Sequence, residues 1–388
     1  MFGSGFTVAR IKGIAIEVHI SWLVIFALVG ISFSDQVFPE QYEGWSTATY
    51  WVIGCITAIT FFGTVLLHEL AHALVAVRRG LAVPRITLFL FGGVSHLAES
   101  PRSAREEFYI AAVGPATSLA LAVIFLLVAF VANGRQVQVE AMFTWLGLIN
   151  ASLAIFNVLP GFPLDGGRVF RSIAWARSGS FRKATNLASN VGVVFGYGLM
   201  LVGLGLLLAG LVLNGIWLAF IGWFLAGAAR GEAQGMQLEA VLAPLTAREI
   251  MHVDFASVTP GISVQQLVDE QMVGNGHRAV MVANDERVAG IVTVSDVRRV
   301  PREQWPNTPV QRIMTTREEI VTVPATQSAL DVLMLIGERR LNQVPVLEEG
   351  RMVGLITRRE LLDRVQVAGK LGIERARANP DAPSARSG

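Results

Sequence analysis

The segment TVLLHELAHALVA, residues 64–76, places two histidines and a glutamate inside an apolar run that extends over residues 47–77. Residues four apart lie on one face of an α-helix, so His68 and His72 can bind the same divalent metal while Glu69 lies beside it. Three ionisable side chains in an apolar helix are costly unless they are paired or bound to a metal. The segment therefore predicts a zinc site within a membrane helix. The alternative is a chance HExxH pattern on a soluble helix.

Composition indicates a membrane protein. Of the 388 residues, 52% are hydrophobic and only 16% are charged, and the mean hydropathy is +0.50. That balance is too apolar for an ordinary soluble enzyme. Because a helix needs roughly 20 apolar residues to cross about 30 Å of hydrocarbon, the long apolar runs predict six spans. They lie near residues 19–33, 48–77, 108–132, 142–159, 187–212 and 216–229.

The distribution of charge predicts the orientation in the membrane. A net charge of +2, with no basic stretch interleaved with aromatic residues, argues against nucleic-acid binding. Arginine and lysine cluster before the first span and after the second, fourth and sixth spans. By the positive-inside bias, we expect a multi-pass cell-membrane protein whose termini are both cytoplasmic.

A catalytic zinc site needs a third protein ligand, and Asp165 is the best candidate. It lies in NVLPGFPLDGG, residues 157–167, where the fourth span ends. Pro160 and Pro163 interrupt a regular helix, and the glycine pair that follows Asp165 permits a tight turn. The carboxylate can therefore approach a neighbouring helix. The alternative is that Asp165 caps the helix that follows.

These two motifs, in this order, resemble the site-2 protease family of intramembrane zinc metalloproteases over most of residues 1–230. By this resemblance, the ligands of one Zn²⁺ per chain are His68, His72 and Asp165, and the general base is Glu69. The resemblance also suggests that Asn157 stabilises the oxyanion or positions the substrate, with helix-end capping as the alternative. The implied reaction is hydrolysis of a peptide bond in or near the transmembrane segment of a membrane-protein substrate.

Residues 85–96, RITLFLFGGVSH, are too few to span a membrane as a helix. They are rich in β-branched and aromatic residues and are broken by Gly92 and Gly93. We therefore expect a strand or hairpin against the active site, whose free edge can receive an extended substrate by main-chain pairing. The resemblance implies similar strands. The alternative is an ordinary interfacial loop.

Beyond residue 247 the chain contains an internal duplication. Residues 248–251 align with 311–314, and residues 288–296 align with 352–360. Each copy predicts a strand, a helix, two strands and a helix, and two such copies should pack together because neither covers its own sheet. This part resembles a tandem pair of CBS domains over about residues 241–366.

In CBS domains, a hydroxyl and an acidic residue at a helix amino terminus can bind an adenine nucleotide, and such a terminus favours anions. The resemblance assigns this role to Thr293, Asp296, Thr357 and Glu360, although Glu360 departs from the usual aspartate. The alternative is a dimerising or substrate-docking module without a ligand.

The predicted fold class is a polytopic α-helical membrane protein with a short membrane-associated β segment and a cytoplasmic α/β CBS-pair domain. The predicted parts are a transmembrane zinc protease domain (1–230), a linker (231–246), two CBS repeats (247–300 and 301–366) and a disordered tail (367–388).

Membrane lipid surrounds the spans, and a homodimer through the CBS pair or the glycine-rich fifth span, with its Gly192 and Gly196, is a further hypothesis. An alternative function is a CBS-regulated ion channel or transporter with a structural metal site. That alternative expects ionisable residues on several spans, whereas spans three, five and six have apolar cores. A nucleotide-sensing receptor without catalysis would be favoured only if a metal ligand or the base were missing.

Overall fold

The computed structural model describes residues 5–89, 92–96, 100–253, 255–284, 287–339, 341–349 and 351–371. The chain divides into two compact units, with the division between Gln234 and Gly235. The tail predicted to be disordered begins at residue 367, but the last helix continues to Leu371. The rest of that tail lies outside the described residues.

The six predicted spans are confirmed as helices long and apolar enough to cross a membrane. The first consists of α1 (Ile20–Ser32), a π-helical turn (Phe33–Val37) and α2 (Phe38–Gln41). The other five are α3 (Thr47–Arg78), α4 (Ala104–Ala132), α5 (Val137–Val158), α7 (Phe181–Leu208) and α8 (Val212–Leu242). A shorter helix, α6 (Asp165–Ser178), lies between α5 and α7.

Serine caps define the starts of three of these helices. The hydroxyl of Ser46 accepts a hydrogen bond from the third residue of α3, and Ser103 and Ser180 do the same for α4 and α7. Such a cap satisfies one of the backbone N–H groups that a helix start leaves without a partner. The boundaries of these spans are therefore encoded by polar residues at the ends of the apolar runs.

A four-stranded sheet accompanies the helices in the order β1-β2-β3-β4. Its strands are β1 (Gly5–Ile11), β2 (Ile14–His19), β3 (Arg85–Phe89) and β4 (Gly92–His96). The hairpin β3–β4 corresponds to the β segment predicted at residues 85–96. β2 pairs in parallel with β3, and β4 lies at an edge of the sheet.

The hairpin β1–β2 was not predicted. Its turn places Lys12 and Gly13 at φ values of 49° and 85°, as two-residue hairpin turns with two left-handed residues require. Ile14, Ile16 and Val18 alternate inward along β2, which is the two-residue period of a half-buried strand.

The glycine pair of the fifth span packs within the chain. A methyl group on Gly196 would collide with Gly222 and Ala226 of α8, and one on Gly192 would collide with the backbone of Phe162. The surface predicted for self-association through this span is therefore covered inside one chain. A homodimer through the CBS pair stays a prediction.

The second unit contains the predicted repeat. Its first copy has α9 (Ala247–Ile250), β5 (Ser257–Val258), α10 (Val264–Gln266) continued by a π-helical segment (Leu267–Gly274), β6 (Ala279–Asn284), β7 (Arg287–Thr293) and α11 (Val294–Val297). Its second copy begins with two 3₁₀ turns (Arg302–Asn307 and Val310–Arg312) and β8 (Thr315–Thr316), followed by β9 (Val323–Pro324), α12 (Ala329–Glu338), β10 (Gln343–Glu348), β11 (Arg351–Thr357) and α13 (Arg358–Leu371). The sheets have the orders β5-β6-β7-β8 and β11-β10-β9. The unit has two valine-rich cores, one formed by residues 264–297 with Val310 and the other by residues 323–365 with Ala247 and Ile250, so each copy begins in the core of the other. The predicted order of strand, helix, two strands and helix is present in both copies.

Candidate metal centre

Three predicted ligands meet at one point between α3 and the start of α6. His68 and His72 project from one face of α3, and each is only 5% exposed. Their Nε2 atoms are 3.2 Å apart. The Oδ2 atom of Asp165 lies 3.0 Å from Nε2 of His68 and 3.2 Å from Nε2 of His72.

This donor set fits a zinc ion. Ligand atoms placed tetrahedrally at the usual Zn–N and Zn–O distances of about 2.0–2.1 Å are separated by about 3.3 Å, close to the 3.0–3.2 Å found here. Two imidazole nitrogens and a carboxylate are also a common ligand set for catalytic zinc. His68, His72 and Asp165 could therefore hold the ion together.

The other ring nitrogens are held by α4. Nδ1 of His72 lies 2.6 Å from the carbonyl oxygen of Ile110, and Nδ1 of His68 lies 2.9 Å from Oγ of Ser118. A carbonyl oxygen can only accept a hydrogen bond, so Nδ1 of His72 carries the proton and Nε2 is left as the ligand atom. Second contacts of this kind orient metal-binding histidines.

Gly114 makes the close approach of α4 possible. A methyl group at this position would overlap Nε2 of both His68 and His72. In the sequence, Gly114-Pro115 inside the third span predicts a kink or a close helix contact, and in the structure the contacted helix, α3, carries the two histidines. The sequence signal was a glycine in the middle of an apolar span.

Two glycines position Asp165 at the first residue of α6. Gly166 packs against the carbonyl groups of residues 158–159 at the end of α5, and Gly167 packs against the backbone of residues 161–162. No side chain caps the start of α6. The Asp165 carboxylate is therefore directed to the imidazoles and does not cap the helix, contrary to the alternative considered for it.

Glu69 lies beside the cluster and contacts β4. Oγ of Ser95 lies 2.9 Å from Oε2 of Glu69 and 3.2 Å from its carbonyl oxygen, so its single proton is donated to the carboxylate and shared with the carbonyl group. A methyl group on Gly93 would collide with the Glu69 side chain. β4 therefore borders the carboxylate predicted to be the general base. The contact from Ser95 was not predicted, although Ser95 belongs to the predicted β segment.

Asn157 is not joined to this cluster by a hydrogen bond. It lies one residue before the end of α5 and is partly buried. Its side chain makes no hydrogen bond to any residue that the structure describes, including the backbone groups that helix-end capping would use.

The four predicted nucleotide-binding residues form two helix caps. The hydroxyl and backbone N–H of Thr293 both donate to Oδ2 of Asp296, at 2.7 and 2.9 Å. Thr357 and Glu360 repeat this arrangement at the start of α13. Glu360 also pairs with His252, whose Nδ1 is 3.0 Å from Oε1. Each acidic side chain is thus bonded to the hydroxyl three residues before it.

Comparisons with known proteins agree with this geometry. The model of peptidase family M50 matches residues 56–138 and 132–199, and the model of the CBS domain matches residues 247–303 and 310–367. The chain is 33% identical over 368 residues to "Putative zinc metalloprotease sll0528" of Synechocystis sp., covering 93% of this chain and 95% of that protein. It is 25% identical over 359 residues to "Zinc metalloprotease MJ0392" of Methanocaldococcus jannaschii, covering 92% and 95%.

Among solved structures, "Site-2 Protease from Methanocaldococcus jannaschii" shares 28% sequence identity, with a TM-score of 0.41. That match covers 59% of this chain and 95% of the other. The sequence relatives alone establish the family, because the Synechocystis protein is similar to this chain over almost the whole length of both. The chain therefore belongs to peptidase family M50, the site-2 proteases, as a multi-pass membrane zinc metalloprotease that carries a tandem pair of CBS domains.

Proposed function

We propose that this protein is an intramembrane endopeptidase that cleaves a membrane protein in or near one of its transmembrane segments. One observation carries the proposal. The Nε2 atoms of His68 and His72 and the Oδ2 atom of Asp165 lie 3.0–3.2 Å from one another, and Glu69 lies beside them. The histidines belong to a helix of span length and composition. A peptide bond cleaved there would lie at membrane depth.

His68, His72 and Asp165 would hold a zinc ion, which would supply Lewis acidity to lower the pKa of water toward about 7 and to polarise a carbonyl group. Glu69 accepts a proton from the attacking water and returns it to the leaving amine. Ser95, by donating to Oε2 of Glu69, holds the carboxylate in one orientation. Asn157, partly buried and without a hydrogen bond among the described residues, is available to bind the substrate carbonyl.

The edge strand β4 is the proposed docking place for the substrate. β4 pairs with β3 on one side, and the sheet has no further described strand beyond it. Its residue Ser95 contacts the proposed base. A substrate segment paired with this edge would be extended, and its amide would be accessible to attack.

The charges that flank the spans support an orientation with both termini and the CBS pair in the cytoplasm. Basic residues lie at the connection from α3 to α4: Arg78 ends α3, Arg79 follows it, and Arg105 lies in the first turn of α4. Acidic residues lie at the other side: Asp35 and Glu40 in the last part of the first span, and Glu43 in the loop that leads to α3. We propose that this CBS pair modulates proteolysis and binds an adenine nucleotide through Thr293 and Asp296 and their counterparts in the second copy. The channel or transporter hypothesis has no support from the family.

The test of the proteolytic function compares the wild-type chain with Glu69→Gln in cells. Proteomics of the membrane fraction should find a membrane protein cleaved only by the wild type, because glutamine cannot accept the proton. Glu69→Gln should keep its zinc, whereas Asp165→Ala should lose it. Equal cleavage by the two chains would refute the role assigned to Glu69.

The test of nucleotide binding uses calorimetric titration of the purified full chain with ATP and with AMP. Thr293→Val should weaken binding, and Thr49→Val, at a partly exposed position in the membrane unit, serves as the control. If neither nucleotide binds, the adenine-nucleotide role of the CBS pair is wrong, while the proteolytic proposal is unaffected.

A further inference from the structure

A buried ion pair joins α4 to α6 outside the metal centre. Glu107 of α4 is fully buried, and Arg171 of α6 is only 4% exposed. Nε of Arg171 donates to Oε1 of Glu107 at 2.7 Å, and its Nη2 donates to the same oxygen. None of the proposed catalytic steps uses either residue.

The guanidinium of Arg171 is held on all sides. Its carbon lies 4.9 Å from the ring centre of Phe162 and 4.7 Å from that of Phe181. Its Nη1 is 3.4 Å from Oγ1 of Thr185 and 3.5 Å from Oε1 of Glu232. Arg171 therefore contacts α4, α7, α8 and the loop before α6, as a planar and rigid cation can.

Burial of such a pair is weak evidence for a role in stability. Two charges removed from water lose solvation energy that their attraction often does no more than restore, and apolar replacements of similar size are frequently as stable. A buried pair does have a preferred geometry, because the guanidinium must face the carboxylate. The pair is therefore better suited to fixing the relative position of the two helices than to stabilising the fold.

Both helices joined by the pair hold parts of the metal centre. Glu107 precedes Ile110 by about one turn of α4, and Ile110 fixes the ring of His72. Arg171 follows Asp165 on α6 by less than about two turns. The pair thus links the helix that orients the histidines to the helix that supplies the carboxylate.

We propose that Glu107 and Arg171 are positioning residues, which fix α6 against α4 so that the Asp165 carboxylate reaches the two imidazoles. This inference rests on the proposed function, because it assumes that the three side chains bind zinc. Without the pair, α6 keeps the backbone contacts of Gly166 and Gly167 but loses its ion-pair link to α4. The third ligand would then be displaced while the fold persists.

The test uses the double variant Glu107→Leu/Arg171→Met, which replaces the pair by apolar groups of similar length. Zinc affinity is measured by competition with a chromogenic chelator, and thermal unfolding is measured on the metal-free full chain in detergent. We expect the double variant to unfold at nearly the wild-type temperature but to bind zinc at least about tenfold more weakly. Its kcat should fall, with little change in KM.

Two further variants keep the test decisive. Arg171→Lys retains the charge but not the two-nitrogen contact or the stacking, and its zinc affinity should lie between those of the wild type and the double variant. Arg177→Gln, at an exposed position of the same helix, should behave as the wild type. If Arg171→Lys and the double variant bind zinc as tightly as the wild type, or if zinc affinity falls only in proportion to thermal stability, the inference is wrong.

The outcomes separate this inference from the proposed function. Zinc binding by a wild-type chain that cleaves nothing would overturn the proposed function, and the zinc affinities would still decide the role of the pair. A wild-type chain that binds no zinc would overturn both.

Discussion

Substitution of Gly114 by alanine should damage the metal centre without damaging the helix. Gly114 lies inside α4, where alanine is favoured over glycine by roughly 0.5–1 kcal/mol because it restricts the unfolded chain. In this protein the added methyl group would overlap Nε2 and Cε1 of His72 and Nε2 of His68. The same methyl group therefore favours the helical conformation of α4 and disturbs the metal centre.

The expected loss of zinc affinity depends on how the protein relieves the overlap between the methyl group and the two imidazole rings. The helix could move away as a whole, but it would then lose the contacts of Ile110 and Ser118 with the two rings. If the rings move instead, the ligand nitrogens leave their places. Loss of well-oriented outer contacts weakens metal binding by about 10- to 100-fold, which corresponds to about 1.4–2.8 kcal/mol.

The assay compares Gly114→Ala with Gly63→Ala. Gly63 lies on α3 with nothing within 4 Å of an added methyl group, so its substitution should leave zinc affinity unchanged. Zinc affinity would be measured by chelator competition, and thermal unfolding would be followed in the metal-free state. We expect Gly114→Ala to lose zinc affinity by the factor above, whereas the thermal stability of its metal-free form should change little, because the gain in helix propensity offsets the cost of moving the rings. Tight zinc binding and full proteolysis by Gly114→Ala would refute the geometry of the site.

Three other predictions concern separate parts of the molecule. Ser95→Ala removes the hydrogen bond to the Glu69 carboxylate and should lower kcat by about tenfold or more, because a hydrogen bond to a charged group contributes about 1.5–3 kcal/mol, with unchanged zinc content. Gly203→Leu should lower the free energy of unfolding by about 1–3 kcal/mol, because Gly203 packs against Gly215 of α8. Gly205→Leu should not, because no atom of the described residues lies within 4 Å of a methyl group added at Gly205; thermal unfolding in detergent measures both. Removal of the metal with a chelator should abolish cleavage, and added Zn²⁺ should restore it; cleavage that persists without metal would contradict a metalloprotease mechanism.

The helical part of the fold could be predicted because membrane spans have a simple sequence signal. A long apolar run must become a helix in lipid, since no other local structure satisfies its backbone groups. The pair His68 and His72 could also be predicted, because residues four apart lie on the same face of a helix. Asp165 could be named as the best candidate for the third ligand from the prolines and glycines around it, and the resemblance agreed with that choice. Its approach to histidines that lie 93 and 97 residues earlier in the chain has no local sequence signal.

The hairpin β1–β2 was missed because its sequence signal is short. Lys12-Gly13 suits a two-residue turn, and the alternation from Ile14 onward fits a strand, but both run directly into an apolar span. The basic residues before that span were read only as determinants of orientation. A strand pattern of only six residues that directly precedes a longer apolar run is easily assigned to the helix that the run predicts.

The functions of glycine could be assigned only from coordinates. Gly114, Gly192 and Gly196 look alike in the sequence, as glycines within apolar spans. In the structure, Gly114 makes room for imidazole rings, whereas the other two make room for a loop and for α8. A glycine indicates a close approach, but the sequence does not say what approaches.

The ion pair of Glu107 and Arg171 was also not predicted. Glu107 lies at the start of the third span and Arg171 in a segment rich in arginine, so both were consistent with exposed positions at the membrane surface. Their burial depends on the packing of α4, α6, α7 and α8 around one guanidinium. Contacts between residues so far apart in the chain have no local signal.

The most direct test of the zinc site is X-ray absorption spectroscopy at the zinc edge of the purified wild-type chain and of Asp165→Ala. We expect one zinc per chain with nitrogen and oxygen ligands at about 2.0–2.1 Å, including two imidazoles, and a marked loss of zinc in Asp165→Ala. A wild-type chain without zinc, or one whose zinc has no imidazole ligand, would contradict the account.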